Sequence, residues 1–108
     1  MFPAGYIKTI KYILRNTQPY GKWFAGLKDN SVKIKILARL ARVENGNFGD
    51  CKQLGGNLSE LRFFFGGGLR IYYTIRAGEV VLLLAGGNKS TQANDIDKAT
   101  KILGELED

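Results

Sequence analysis

Residues 58–65 and 68–76 both alternate apolar and polar side chains and are joined through three consecutive glycines, Gly66, Gly67 and Gly68. No other stretch of the chain limits the fold as strongly. Alternation with period two is the signature of a strand whose faces meet different surroundings, and glycines at the junction allow a tight return. If Leu61, Phe63 and Phe65 face a core with Leu69, Ile71, Tyr73 and Ile75, then Glu60, Arg62, Arg70, Tyr72 and Arg76 share the opposite face. Guanidinium groups and an aromatic ring on one face suit a polyanion, RNA first among them.

The rest of the chain supports a small globular protein around that hairpin. Its 108 residues, 44% hydrophobic and 24% charged, predict one compact domain over 1–108. Sixteen Lys and Arg against ten Asp and Glu give a net charge of +6, which favours nucleic acid, an acidic protein or an anionic surface as partner. With no histidine and a single cysteine, Cys51, neither a zinc or iron cage nor an internal disulfide is expected, so no metal and no cofactor are predicted. The longest apolar run, residues 80–85, is far short of a membrane span, and the first residues lack a signal-like apolar stretch. The reading is a cytoplasmic protein without a membrane partner.

Along the chain, residues 6–15 alternate Ile10, Tyr12 and Leu14 against Thr9 and Lys11, predicting a first strand. Asn16-Thr17-Gln18-Pro19 breaks it, and Pro19 suits the first turn of a short helix carrying Trp23, Phe24 and Leu27 and stopping near Lys28. Asp29, Asn30 or Ser31 can cap a second helix with Val32, Ile36, Leu40 and Val43 on its inner side and Gly46 at its end. Lys35, Arg39 and Arg42 recur at helical spacing and predict an exposed basic stripe. A turn-rich loop, pinned by Phe48, leads into the glycine-joined strands, and Ala77-Gly78 turns into a uniformly apolar last strand that reads as central, covered on both faces. Gly86-Gly87 reads as a sharp turn out of it, and Ser90 or Thr91 as the cap of a final helix with Ile96, Ala99, Leu103 and Leu106 inward. The predicted order is strand, two-helix hairpin, three-stranded antiparallel meander and C-terminal helix, an α+β fold.

These residues resemble the RelE/ParE toxin superfamily, in its phage-related, HigB-like "addiction module killer protein" branch. The resemblance runs from about Trp23 onward. It rests on Leu27-Lys28-Asp29, Gly46-Asn47-Phe48-Gly49-Asp50, Ser59-Glu60-Leu61-Arg62, Gly68-Leu69-Arg70-Ile71-Tyr72-Tyr73 and Gly86-Gly87-Asn88-Lys89-Ser90-Thr91-Gln92 in that order. It implies the toxin of a type II toxin–antitoxin pair, bound and neutralised by a cognate antitoxin. It also implies one of two targets: messenger RNA cut on the ribosome, or DNA gyrase poisoned by binding. A third possibility is a member that binds its antitoxin and poisons nothing.

By the same resemblance Arg70 matches the arginine set against the scissile phosphate, Arg62 a basic position on the preceding strand, and Lys89 a basic position after the last strand. The sequence departs from the ribonuclease pattern at Glu60, where a second lysine is usual, and near Asp95, where a C-terminal tyrosine is usual. Metal-free RNA cleavage needs the ribose 2′-hydroxyl deprotonated, the phosphorane charge stabilised and the leaving 5′-oxygen protonated. Arg62 and Arg70 suit the second task because guanidinium stays charged and forks onto phosphate oxygens. Glu60 or a lysine could supply the base, and Glu60 could equally serve only to pair an arginine. Tyr72 could orient a base by stacking, while Arg76, Lys35, Arg39 and Arg42 form the outer set of RNA contacts. Without histidine the expected activity on free RNA is weak, and a ribosome that holds the message in place would offset this.

Overall fold

The computed structural model describes residues 11–107. The chain runs as β1 (Ile13–Asn16), α1 (Gln18–Ala25), α2 (Asn30–Glu44), β2 (Cys51–Gly55), β3 (Leu58–Arg62), β4 (Arg70–Arg76), β5 (Val80–Gly87), a 3₁₀ turn (Lys89–Thr91) and α3 (Gln92–Glu107). All strands join one sheet in the order β1-β5-β4-β3-β2, with β1 parallel to β5 and every other pair antiparallel. This is the predicted α+β arrangement with one strand more than expected. The meander has four strands because β2, read from sequence as loop, pairs along β3 as an edge. Part of the predicted first strand, residues 6–10, lies outside the described residues.

Local chemistry explains the helix starts. Thr17 caps α1 by accepting from the Tyr20 amide, with Pro19 in the first turn where no amide is needed. Asp29 caps α2 by accepting from the Ser31 amide at 2.8 Å. Neither Ser90 nor Thr91 caps the last helical segment as predicted. Asn88 does, accepting from both of their amides, while the Thr91 hydroxyl accepts from the Asn88 amide in a reciprocal box.

Two cores lie on the two faces of the sheet. On one, α1 and α2 bury Tyr20, Ile36, Leu40 and Val43 against Leu61, Phe63, Ile71, Tyr73, Val81 and Leu83, and Phe48 packs at the margin between Tyr12 and Tyr73. On the other, α3 lays Ala99 and Leu103 over Leu58, Tyr72, Leu84 and Ala85. Each large side chain buried this way contributes about 1.5–3 kcal/mol. Strand β5 lies inside the sheet with helices over both faces, which accounts for its unbroken apolar sequence. Leu84 is the extra residue of a bulge opposite the Tyr72/Tyr73 step, so the alternation of β5 switches faces before Gly86 and Gly87. Two apolar residues depart from expectation. Ile75 is 41% exposed because it borders an open pocket of about 290 Å³ beside the β2–β3 turn, and Leu106, in the last turn of α3, is also exposed.

Candidate phosphate-binding site

The register sets a row of side chains across one end of the sheet. Arg62 of β3 stands directly opposite Arg70 of β4, which stands opposite Gly87 of β5, and Glu60 stands opposite Tyr72 in the adjacent row. Arg62, Arg70, Glu60 and Tyr72 therefore share one face, the face that carries α3. Arg62 is a third exposed, and its Nε and Nη2 donate to Asp50 Oδ1 at 3.2 and 2.8 Å. That carboxylate raises the Arg62 pKa above its ordinary value and fixes the guanidinium at the sheet end.

Arg70 is held more deeply. Its side chain is 13% exposed, with Nε 3.9 Å from Glu60 Oε2, and that Nε is a buried donor with no hydrogen-bond partner. Glu60 is itself buried and accepts from Gln92 Nε2 of α3 at 3.3 Å. Asp95, one turn further along α3, takes a hydrogen bond from the Thr91 hydroxyl and lies against Gly87, where any Cβ would collide with its carboxylate. On the opposite face the indole of Trp23 fills the space over Gly86. The two glycines thus remain within the strand and make room for a helix on each side, instead of forming the sharp turn predicted for them.

Tyr72 lies at the floor of this cluster with no exposed surface, and its hydroxyl finds no partner. Its pKa is pushed up to about 12, first by burial and then by the Glu60 and Asp95 carboxylates, with Arg70 opposing. Covered by α3, its ring presents no face to a nucleobase, which corrects the stacking role expected of it. Lys89 is exposed and joins the arginines through the chain: its amide donates to Gly67 O at 3.2 Å, tying the β5–α3 connection to the β3–β4 loop.

The outer basic set separates. Arg39 is not part of an exposed stripe. It is buried, stacks over Phe63 at 4.8 Å, and donates to three carbonyls: Phe48 O (2.9 Å), Asp50 O (2.7 Å) and Arg62 O (3.1 Å). Burial pulls its pKa down from the ordinary guanidinium value. By gripping the main chain at Asp50 and Arg62 from the α2 side, Arg39 sets the ion pair those residues make on the other face. Lys35 and Arg42 are exposed, Lys35 with its ammonium over the Phe65 ring at 5.1 Å. Arg76 is six residues from Arg70 at the far end of β4, roughly 20 Å along the strand, and is therefore separate from the arginine row.

Asp50, Gln92 and the pairing role of Asp95 were missed from sequence. Asp50 sits in a glycine-rich turn with no periodicity, and nothing local announces that it will face Arg62. Among the described residues no helix is long and apolar enough to cross a membrane.

Residues 22–104 match the family model described as phage derived protein Gp49-like (DUF891). A protein of Haemophilus influenzae described as uncharacterized is 41% identical over 93 residues, covering 86% of this chain and 94% of that protein. Among solved structures, a double arginine-to-alanine mutant of the E. coli toxin RelE in the free state aligns with a TM-score of 0.68 at 18% identity, covering 85% of this chain and 97% of that one. The intact E. coli RelBE toxin–antitoxin complex aligns at 0.56 and 19% identity, covering 71% and 95%. At these identities the likeness to both is one of fold.

Proposed function

The chain belongs to the phage-derived Gp49-like family, and we propose that it is the toxin of a type II toxin–antitoxin pair that halts translation by cutting messenger RNA on the ribosome. The observation that carries this reading is the cross-strand pair Arg62–Arg70 on one face, with Lys89 tied to the same end. The family, the RelE fold and the existence of a RelE toxin–antitoxin complex support it. A cognate antitoxin follows as partner, with the ribosome and its message as the target.

In this mechanism the 2′-hydroxyl gives its proton to water as its oxygen attacks phosphorus, the bond to the 5′-oxygen breaks to leave a 2′,3′-cyclic phosphate, and charge builds on the nonbridging oxygens. Arg62 and Arg70 receive that charge. Arg70 Nε is buried beside Glu60, so a phosphate oxygen is met by the outer part of the guanidinium, where the side chain's remaining 13% exposure lies. Glu60, covered by Gln92, holds the Arg70 guanidinium in place instead of meeting the 2′-hydroxyl. Lys89, exposed at the same end, assists in this reading by protonating the leaving 5′-oxygen.

Induction of the chain without its antitoxin is expected to arrest growth, and Arg70→Ala to abolish the arrest while the protein stays folded by circular dichroism. A folded, still toxic Arg70→Ala variant would remove Arg70 from the mechanism. Absence of arrest by the wild-type chain would favour an inactive antitoxin-binding member. The second reading, gyrase inhibition, draws on the carboxylates beside the arginines: Asp50, Glu60 and Asp95 lower the net charge of the patch, which suits a protein surface better than bare phosphate. DNA-damage signalling with intact transcripts would select it.

A further inference from the structure

Phe64 is 96% exposed, while its neighbours turn inward. Phe63 is buried in the core, and the rings of Phe63 and Phe65 meet at 5.3 Å. The loop that carries Phe64 is built to hold its shape. Phe63 N donates to Leu69 O and Leu69 N to Phe65 O, both at 3.0 Å. Gly66, Gly67 and Gly68 all take positive φ, at 62°, 72° and 77°, a run only glycine adopts without strain. Gly67 O accepts from Lys89 N, and Gly68 lies so close to the Lys89 side chain that a Cβ there would stand 3.1 Å from its Cβ.

This loop connects the two arginine strands. Phe64 is two residues beyond Arg62, within about 7 Å of chain, and the same loop returns to Arg70. We propose that Phe64 is the platform on which a base of single-stranded RNA stacks, beside the phosphate held by Arg62 and Arg70. The inference rests on the nuclease reading and adds a recognition element to it. An exposed ring flanked by cations is how sequence-tolerant single-strand binders combine stacking with backbone contacts. A protein-anchoring aromatic would instead sit within a rim of further residues that exclude water, whereas the loop around Phe64 offers glycines and the Lys89 junction. Phe64 takes over the stacking role that the buried Tyr72 is unable to fill.

The test is a titration of dye-labelled single-stranded oligouridine, with an RNA duplex as control, into the purified chain and its Phe64→Ala and Phe64→Trp variants. Stacking of one base predicts a loss of roughly 10-fold in single-strand affinity for Phe64→Ala, with duplex affinity and thermal midpoint unchanged because the ring packs against nothing. Phe64→Trp is expected to keep the affinity and to show indole fluorescence quenched by the RNA. Wild-type single-strand affinity in Phe64→Ala would overturn the inference, as would equal losses on duplex and single strand. If RNA affinity is unchanged but co-expression of the native operon no longer rescues growth, Phe64 belongs to a protein interface. Arg70→Ala reads the nuclease proposal separately: loss of toxicity there with none in Phe64→Ala leaves the enzyme reading standing and removes only the platform.

Discussion

Three arginines of similar sequence surroundings end in three different roles, and their hydrogen-bond partners decide which. Arg39 spends its guanidinium on main-chain carbonyls, Arg62 on the half-buried Asp50 carboxylate, and Arg70 lies beside Glu60 with its Nε buried and unbonded. Replacing Arg39 by Met strands the Phe48 and Arg62 carbonyls and leaves Asp50 O with the Arg62 amide as its one donor, so a loss of roughly 2–4 kcal/mol is expected in urea unfolding. Arg39→Lys should recover little, because an ammonium lacks the planar fork. Tyr72 gives the opposite sign. Its hydroxyl is buried with no partner, so Tyr72→Phe discards a desolvated group without losing a hydrogen bond, and thermal unfolding should show a gain of about 1 kcal/mol. The same burial sets an alkaline limit. Tyr20 and Tyr72 are both raised from 10.0 to about 12, so folding favours their neutral forms. Their stabilising contribution is complete below pH 10 and is lost as pH rises through 12. The urea midpoint should fall across that interval, and should fall less steeply in Tyr20→Phe and Tyr72→Phe.

At the scale of elements, much was legible because local rules and tertiary demands agreed. The inner positions of α2, Ile36, Leu40 and Val43, are buried as their spacing predicts, and its cap is Asp29. The glycine-joined strands pair in the register that puts Arg62 beside Arg70. What escaped the sequence was set by neighbours far away in the chain. Alternation says which residues share a face, yet does not say that α3 will cover it, so Glu60 and Tyr72 were read as open and are buried. Helical spacing grouped Arg39 with Lys35 and Arg42, but the carbonyls of the loop at Phe48–Asp50 draw it inward. Strand β2, Cys51-Lys52-Gln53-Leu54-Gly55, has almost no apolar alternation, and pairing with β3 alone makes it a strand. The β4–β5 turn makes its own prediction. Ala77 and Gly78 both take positive φ, at 53° and 71°, with Glu79 N donating to Arg76 O. Alanine is strained there, whereas asparagine and glycine are not. Ala77→Asn should therefore raise stability by about 0.5–1 kcal/mol in thermal unfolding.

As a whole, the molecule is a sheet with a helical layer on each face, and the arginine row lies where the first turns of α3 reach over the sheet end. The net charge of +6 favours a polyanionic partner, and in the proposed reading the arginine row is where its phosphate is held. Affinity for RNA should accordingly weaken steeply as salt rises. On the proposed function, Arg62 and Arg70 together hold the phosphate at which a message is cut. This claim is tested most directly by mapping 5′ ends of a defined transcript in a reconstituted translation reaction containing the purified protein. New ends inside the translated frame with the wild-type chain, absent with Arg70→Ala and absent when ribosomes are withheld, are the predicted result. A transcript left whole while translation proceeds, or one cut equally well by Arg70→Ala, would contradict it.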